Sequence, residues 1–119
     1  MSNTVVLGAS TNPSRYSYLA VSMLRVYGHP VTAIGSAPGV VGDVEIRTEH
    51  PVSSGVHTLT LYLNPQRQAQ YYSYILSVRP ARLIMNPGTE NAELKALALA
   101  HGIDVVEACT LVMLRTGQY

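Results

Sequence analysis

Thr4-Val5-Val6-Leu7-Gly8-Ala9-Ser10-Thr11-Asn12-Pro13-Ser14-Arg15-Tyr16-Ser17 is the stretch on which the fold turns. Its first four residues are a β-branched and apolar run stopped by Gly8, which predicts a buried strand entering a tight turn. From Ser17 onward Leu19, Ala20, Met23, Leu24, Val26 and Tyr27 recur at spacings of three and four, a helical stripe closed by Gly28. Pro30 leads into a second short apolar run, Val31–Ile34, closed by Gly35. Strand, helix and strand make a β-α-β unit, whose crossover is right-handed in about 98% of cases, so the two strands are expected to be parallel.

The alternation continues outward from this unit. Residues 36–55, with Pro38, Gly39, Gly42, Pro51 and Gly55, read as mostly loop around one strand-like stretch at 44–46. Residues 58–63 predict a third core strand, and Asn64-Pro65 starts a polar, tyrosine-rich helix over 66–78 that Pro80 stops. Arg82–Met85 predicts a fourth strand, residues 90–100 a helix closed by Gly102, and residues 103–106 a fifth strand before a tail at 109–119. The expected fold is α/β: a three-layer, doubly wound parallel sheet of the Rossmann-like kind, with about five core strands and flanking helices. No repeat or linker divides the chain, so residues 1–119 are expected to form one domain.

Composition removes several function classes. With 47% hydrophobic and 13% charged residues, the chain of 119 residues lies far from the disordered corner of sequence space. A net charge of +1, with Arg15, Arg25, Arg47, Arg67, Arg79, Arg82 and Arg115 scattered, gives no basic face, and no nucleic-acid partner is expected. No apolar run approaches the roughly 18 residues of a spanning helix and no leader pattern opens the chain, so no membrane partner is expected. The single Cys109 excludes an internal disulfide framework and points to a reducing, cytoplasmic setting. His29, His50, His57 and His101 lack metal-pair spacing, and no Gly-x-Ser-x-Gly elbow is present, so neither a metal nor a catalytic set is assigned.

In an open parallel sheet ligands bind beyond the carboxyl ends of the strands, where strand order reverses. The loops at 8–17, 35–42, 63–66 and 86–91, with 107–110 after the fifth strand, therefore carry the candidate site. The first opens a helix, and backbone N–H groups at such a start, aided by the helix dipole, suit a phosphate or diphosphate. Ser10, Ser14 and Ser17 offer hydroxyls and Arg15 a charge-assisted donor. The loop has only Gly8 of the three glycines of a dinucleotide fingerprint and lacks the Gly-Lys-Ser/Thr of a P-loop. An ordinary turn, with serines capping the helix and a solvated arginine, explains the same residues equally well.

Gly8-Ala9-Ser10, followed by Pro13, Arg15, Ser17 and Tyr18, resembles the start of the small bacterial and archaeal CoA-binding domain family. The similarity runs through essentially the whole chain. Tyr62 stands where that family has an aromatic on its third core strand, Pro87-Gly88 where it has a glycine-containing turn, Glu90-Asn91 at its helix start and Cys109 at its cysteine. The resemblance implies a Rossmann-type fold that binds coenzyme A at the carboxyl edge of the sheet, usually without established catalysis. Three positions depart from the pattern: Gly35-Ser36 replaces an Asn-Pro, Leu63 a frequent arginine and Ala108 another arginine.

Taken together, the residues expected to contact coenzyme A or an acyl-CoA are Gly8, Ala9, Ser10, Asn12, Pro13, Arg15, Ser17 and Tyr18 of the first loop. Gly35, Ser36, Tyr62, Asn64, Pro87, Gly88, Asn91 and Cys109 complete the set from the others. The diphosphate is expected at residues 8–17 and the adenine near the second-strand loop. Cys109 is expected to pack rather than react, although a mixed disulfide with a ligand thiol is the other reading. The rivals are an adenine-nucleotide regulatory domain, including one responsive to NAD, and a CoA-dependent enzyme or ligase component. Gly35-Ser36-Ala37 lacks the ribose-binding acid of the NAD type. So apolar a chain predicts a homodimer, with Tyr71, Tyr72 and Tyr74 the favoured contact.

Overall fold

The computed structural model describes residues 2–119. Its seven strands are β1 (Thr4–Leu7), β2 (Val31–Ile34), β3 (Gly39–Val41), β4 (Val44–Arg47), β5 (Thr58–Leu61), β6 (Arg82–Met85) and β7 (Asp104–Glu107). They form one sheet in the order β3-β4-β2-β1-β5-β6-β7, parallel except for β3, which pairs antiparallel with β4 at the edge. The helices are α1 (Tyr16–Val26), α2 (Pro65–Gln68), α3 (Tyr72–Val78), α4 (Ala92–Ala100) and α5 (Thr110–Arg115), with a 3₁₀ turn at Ala69–Tyr71 between α2 and α3. The expected three-layer, doubly wound architecture is the observed one.

Central strands of a parallel sheet are covered on both faces, which is why Thr4–Leu7 is buried at every residue. Alternate side chains feed two cores. Val5 and Leu7 join Leu59, Leu61, Leu83 and Met85 under α3 and α4, while Val6 and Ala33 pack beneath Val21 and Leu24 of α1 and Leu114 of α5. In α1 the buried Ser17, Ala20, Val21 and Leu24 follow the i, i+3, i+4, i+7 spacing of one inward face. The Gly28 N–H donates to the Arg25 carbonyl and the His29 N–H to that of Leu24, a Schellman close that turns the chain directly into β2.

Three expectations need correction. The supposed loop at 36–55, with its strand-like stretch at 44–46, contains a hairpin, β3 and β4, whose turn is the dipeptide Gly42-Asp43, and this extends the sheet beyond the five expected core strands to seven. The single helix at 66–78 is broken, because Gln68 is fully buried and its amide donates to the Leu63 and Thr89 carbonyls, and the chain tightens into the 3₁₀ turn immediately after it. The tail contains α5, whose Leu111, Met113 and Leu114 are buried. The tyrosines of the broken helix roof the sheet: Tyr74 is only 6% exposed and donates to the Pro51 carbonyl, and Tyr71 and Tyr72 pack against the same core.

Candidate functional site

Strands run outward from β1 to β2 and β4, then the chain returns to β5 on the other side of β1. The crevice beyond the carboxyl ends of β1 and β5 is therefore the switch point, and a cleft of about 420 Å³ opens there. Its floor depends on two glycines. Gly8 has φ 98°, and its N–H and that of Ala9 both donate to the Ile34 carbonyl, at 2.8 and 2.9 Å. A Cβ at Gly35 would collide with the Ala9 carbonyl oxygen, so only glycine lets the second loop press against the first.

Beyond the floor the first loop bonds to itself. The Ser10 hydroxyl accepts from the Asn12 N–H at 3.0 Å, and the Asn12 side-chain carbonyl accepts from the Ser14 N–H at 3.0 Å and its hydroxyl at 2.8 Å. These serines do not cap α1. Arg15 holds the N-cap position, no side chain caps the helix, and its carbonyl accepts from the Tyr18 and Leu19 N–H groups. The N–H groups of Tyr16 and Ser17 are left without an acceptor among the described residues, and both residues line the cleft beside Arg15. An uncapped helix start next to a guanidinium is a site for an anion.

The facing wall comes from β5 onward. Asn64 caps α2, accepting from the Arg67 N–H at 3.1 Å, and Arg67 lines the cleft one turn after Leu63. Leu63, which departs from the family's frequent arginine, is buried, and a cation enters the cleft four residues later. Tyr62 also lines the cleft, but its hydroxyl is buried without a hydrogen-bond partner among the described residues. Burial pushes that phenol up to about 12.

Asn86, fully inside, ties this region together: its amide donates to the Thr60 hydroxyl at 2.7 Å and the Leu61 carbonyl at 2.9 Å. Its oxygen accepts from the Thr110 N–H at 2.9 Å. Pro87, Gly88 and Thr89 complete the third wall, held by the bond from Gln68 to the Thr89 carbonyl.

Gly8, Ala9, Ser10, Arg15, Ser17, Gly35, Ser36, Tyr62, Asn64, Pro87 and Gly88 of the expected set are thus brought to one cleft. Asn12 and Pro13 lie exposed outside the cleft lining, and Tyr18 packs against the core beneath α1. Asn91 caps α4 through the Glu93 and Leu94 N–H groups, while its amide donates to Gln68 and the Tyr72 hydroxyl. Cys109, half-buried, occupies the N-cap position of α5 outside the cleft lining. Thr11, Tyr16, Ala37, Leu63, Arg67, Tyr71 and Thr89 line the cleft without having been picked out by sequence. Arg67 was findable, since a cation three residues after an Asn-Pro helix start remains within its first turn. Among the described residues no three His, Cys, Asp or Glu side chains converge as a metal site, and no helix is long and apolar enough to cross a membrane.

The profile of a family described as the CoA binding domain matches residues 2–115. A crystal structure of an uncharacterized protein is 47% identical, with a TM-score of 0.97, covering 100% of this chain and 98% of that one. A hypothetical protein from Pyrococcus horikoshii OT3 shares the fold at 16% identity and a TM-score of 0.87, covering 97% of this chain and 82% of its own. A Thermus thermophilus protein does so at 20% identity and 0.80, with 99% and 91% covered. No curated protein matches the sequence.

Proposed function

The chain belongs to the CoA-binding domain family, and from that premise we propose that it holds coenzyme A or an acyl-CoA, without catalysing a reaction on it, in the cleft between β1 and β5. The observation that carries the reading is the uncapped start of α1, where Arg15, Tyr16 and Ser17 line the cleft and the N–H groups of the latter two have no acceptor among the described residues. The donor set fits a diphosphate: two orphan N–H groups, a positive helix end and a guanidinium. The glycine floor fits too, since a side chain at 8 or 35 would crowd the neighbouring backbone. Coenzyme A supplies the thiol or thioester chemistry when bound; the chain's own residues orient its anionic portion.

Calorimetric titration tests this reading. Wild-type protein is expected to bind coenzyme A, and mass spectrometry of ligand released from protein purified without added cofactor should identify the same compound. Absence of binding in both measurements overturns the proposal. The single free thiol of Cys109 supports a reducing, cytoplasmic setting for the domain. With Tyr74 inside the fold, the outer face of α1 supports the dimer better than the tyrosine helix. Tyr16, Leu19, Val26 and Tyr27 are exposed there, an apolar stripe bordered by Arg115 and of the kind a two-fold contact buries. A solution mass of one 12.9 kDa chain at micromolar concentration removes this dimer.

A further inference from the structure

Two cations line the cleft, and they enter it from different faces of the sheet. Arg15 precedes α1, which covers the face carrying Val6 and Ala33. Arg67 belongs to α2, which follows β5 onto the side built over Leu59 and Leu61. Among the described residues neither guanidinium makes a hydrogen bond or ion pair to the protein, whereas Arg25 pairs with Asp43, Arg47 with Glu49 and Lys95 with Glu107. Among the described residues no acidic side chain lines the cleft to neutralise either one.

The Arg67 backbone is also unusually well anchored for an exposed residue. Its N–H donates to the Asn64 side chain, and the next residue, Gln68, is fully buried and bound to the Leu63 and Thr89 carbonyls. A fixed stem carrying a free charged head reads position: it offers a bidentate donor at one side of the cleft and nothing elsewhere. An anion seated on the α1 N-terminus lies with Arg15, so Arg67 is left to face a different part of the same ligand.

Resting on the reading of the cleft as a coenzyme A site, we propose that Arg67 is a specificity-determining residue that selects ligands carrying a second anionic group, separate from the one held at α1. The shared chemistry is a phosphate or carboxylate. In coenzyme A it is available as the 3′-phosphate of the ribose, and in a dicarboxylic acyl-CoA as the terminal carboxylate of the acyl chain.

Calorimetric titration of the full chain with coenzyme A, dephospho-coenzyme A, acetyl-CoA and succinyl-CoA separates these sources. Wild type is expected to bind coenzyme A at least about tenfold more tightly than the dephospho form, the size of one charge-assisted contact. Arg67→Ala should bring that ratio to within about threefold and leave dephospho-coenzyme A affinity nearly unchanged, with Arg67→Lys restoring part of the preference. Arg15→Ala should weaken both ligands equally and leave the ratio intact. A collapse instead of the preference for succinyl-CoA over acetyl-CoA in Arg67→Ala assigns the carboxylate as the second anion. Preference ratios unchanged by Arg67→Ala, with binding retained, overturn the inference alone. Wild-type protein that binds none of the four ligands overturns the coenzyme A reading, and this inference with it.

Discussion

At the edge where the strands begin, Arg82 donates to the Thr58 hydroxyl at 2.8 Å and to the Tyr119 carbonyl at 3.1 Å, and its guanidinium lies 4.5 Å from the centre of the Tyr119 ring. At the edge where they end, Arg15 and Arg67 touch no protein acceptor among the described residues. Polar groups follow the same division. The Ser2 N–H donates to His29 and the Thr4 and Tyr119 hydroxyls bond one another at the first edge, while the Tyr16 and Ser17 N–H groups stand open at the second. Charge satisfied within the fold contributes to stability, and charge left open is available to a ligand. The first edge is a fastening, and the second is the one we propose as the receptor.

Four perturbations test that division, in order of expected size. Gly35→Ala acts on both properties, because its new Cβ meets the Ala9 backbone rather than a flexible side chain. Overpacking against backbone should cost about 3 kcal/mol by chemical denaturation and abolish measurable coenzyme A binding. If stability and affinity both stay at wild-type levels, the two loops do not depend on their close approach.

Arg82→Ala should cost about 2 kcal/mol by loss of its charge-assisted bonds and of the contact with Tyr119, with coenzyme A affinity unchanged. Arg15→Ala should do the reverse: a melting temperature within experimental scatter and roughly tenfold weaker binding by calorimetry. An Arg82 variant that loses affinity, or an Arg15 variant that loses stability, would merge the two edges into one system.

The smallest effect is one of pH at the fastened edge. Burial lowers the His29 pKa, with further downward pushes from nearby positive charge, including Arg82 and His57. The unfolded chain then binds the proton first, from about 6.5 downward, so stability is full above that value and declines as pH falls toward the lowered native one. Denaturation midpoints across this window should fall with pH in wild type and less so in His29→Gln. Parallel curves for the two proteins would show that His29 is not the titrating group.

Residue types alone carried much of the architecture. Thr4–Leu7 and Val31–Ile34 are short apolar runs between turn residues, and a strand buried on both faces needs little more to be recognised. Of the hairpin only the 44–46 stretch reads as strand, because β3 is three residues long and opens on Gly39, though Gly42-Asp43 flanked by valines marks a two-residue turn. The helix α5 escaped because six residues give less than two turns of periodicity, and its start is fixed by the distant Asn86 side chain.

For the site, the sequence by itself determined that loops rich in glycine and small polar residues would gather at the carboxyl ends of parallel strands, since that follows from the alternation of elements. It did not determine which N–H groups in those loops stay open. Gly8 and Ala9 donate to Ile34, 26 and 25 residues away, and Ser10 and Ser14 bond within their own loop, leaving the Tyr16 and Ser17 N–H groups without an acceptor among the described residues. Asn91 and Asn64 both look like ligand donors, yet each side-chain oxygen closes a helix start, and Asn91 also supports Gln68. Hydrogen-bond partners are chosen by three-dimensional proximity, so only the tertiary structure decided which polar groups fasten the fold and which face the cleft.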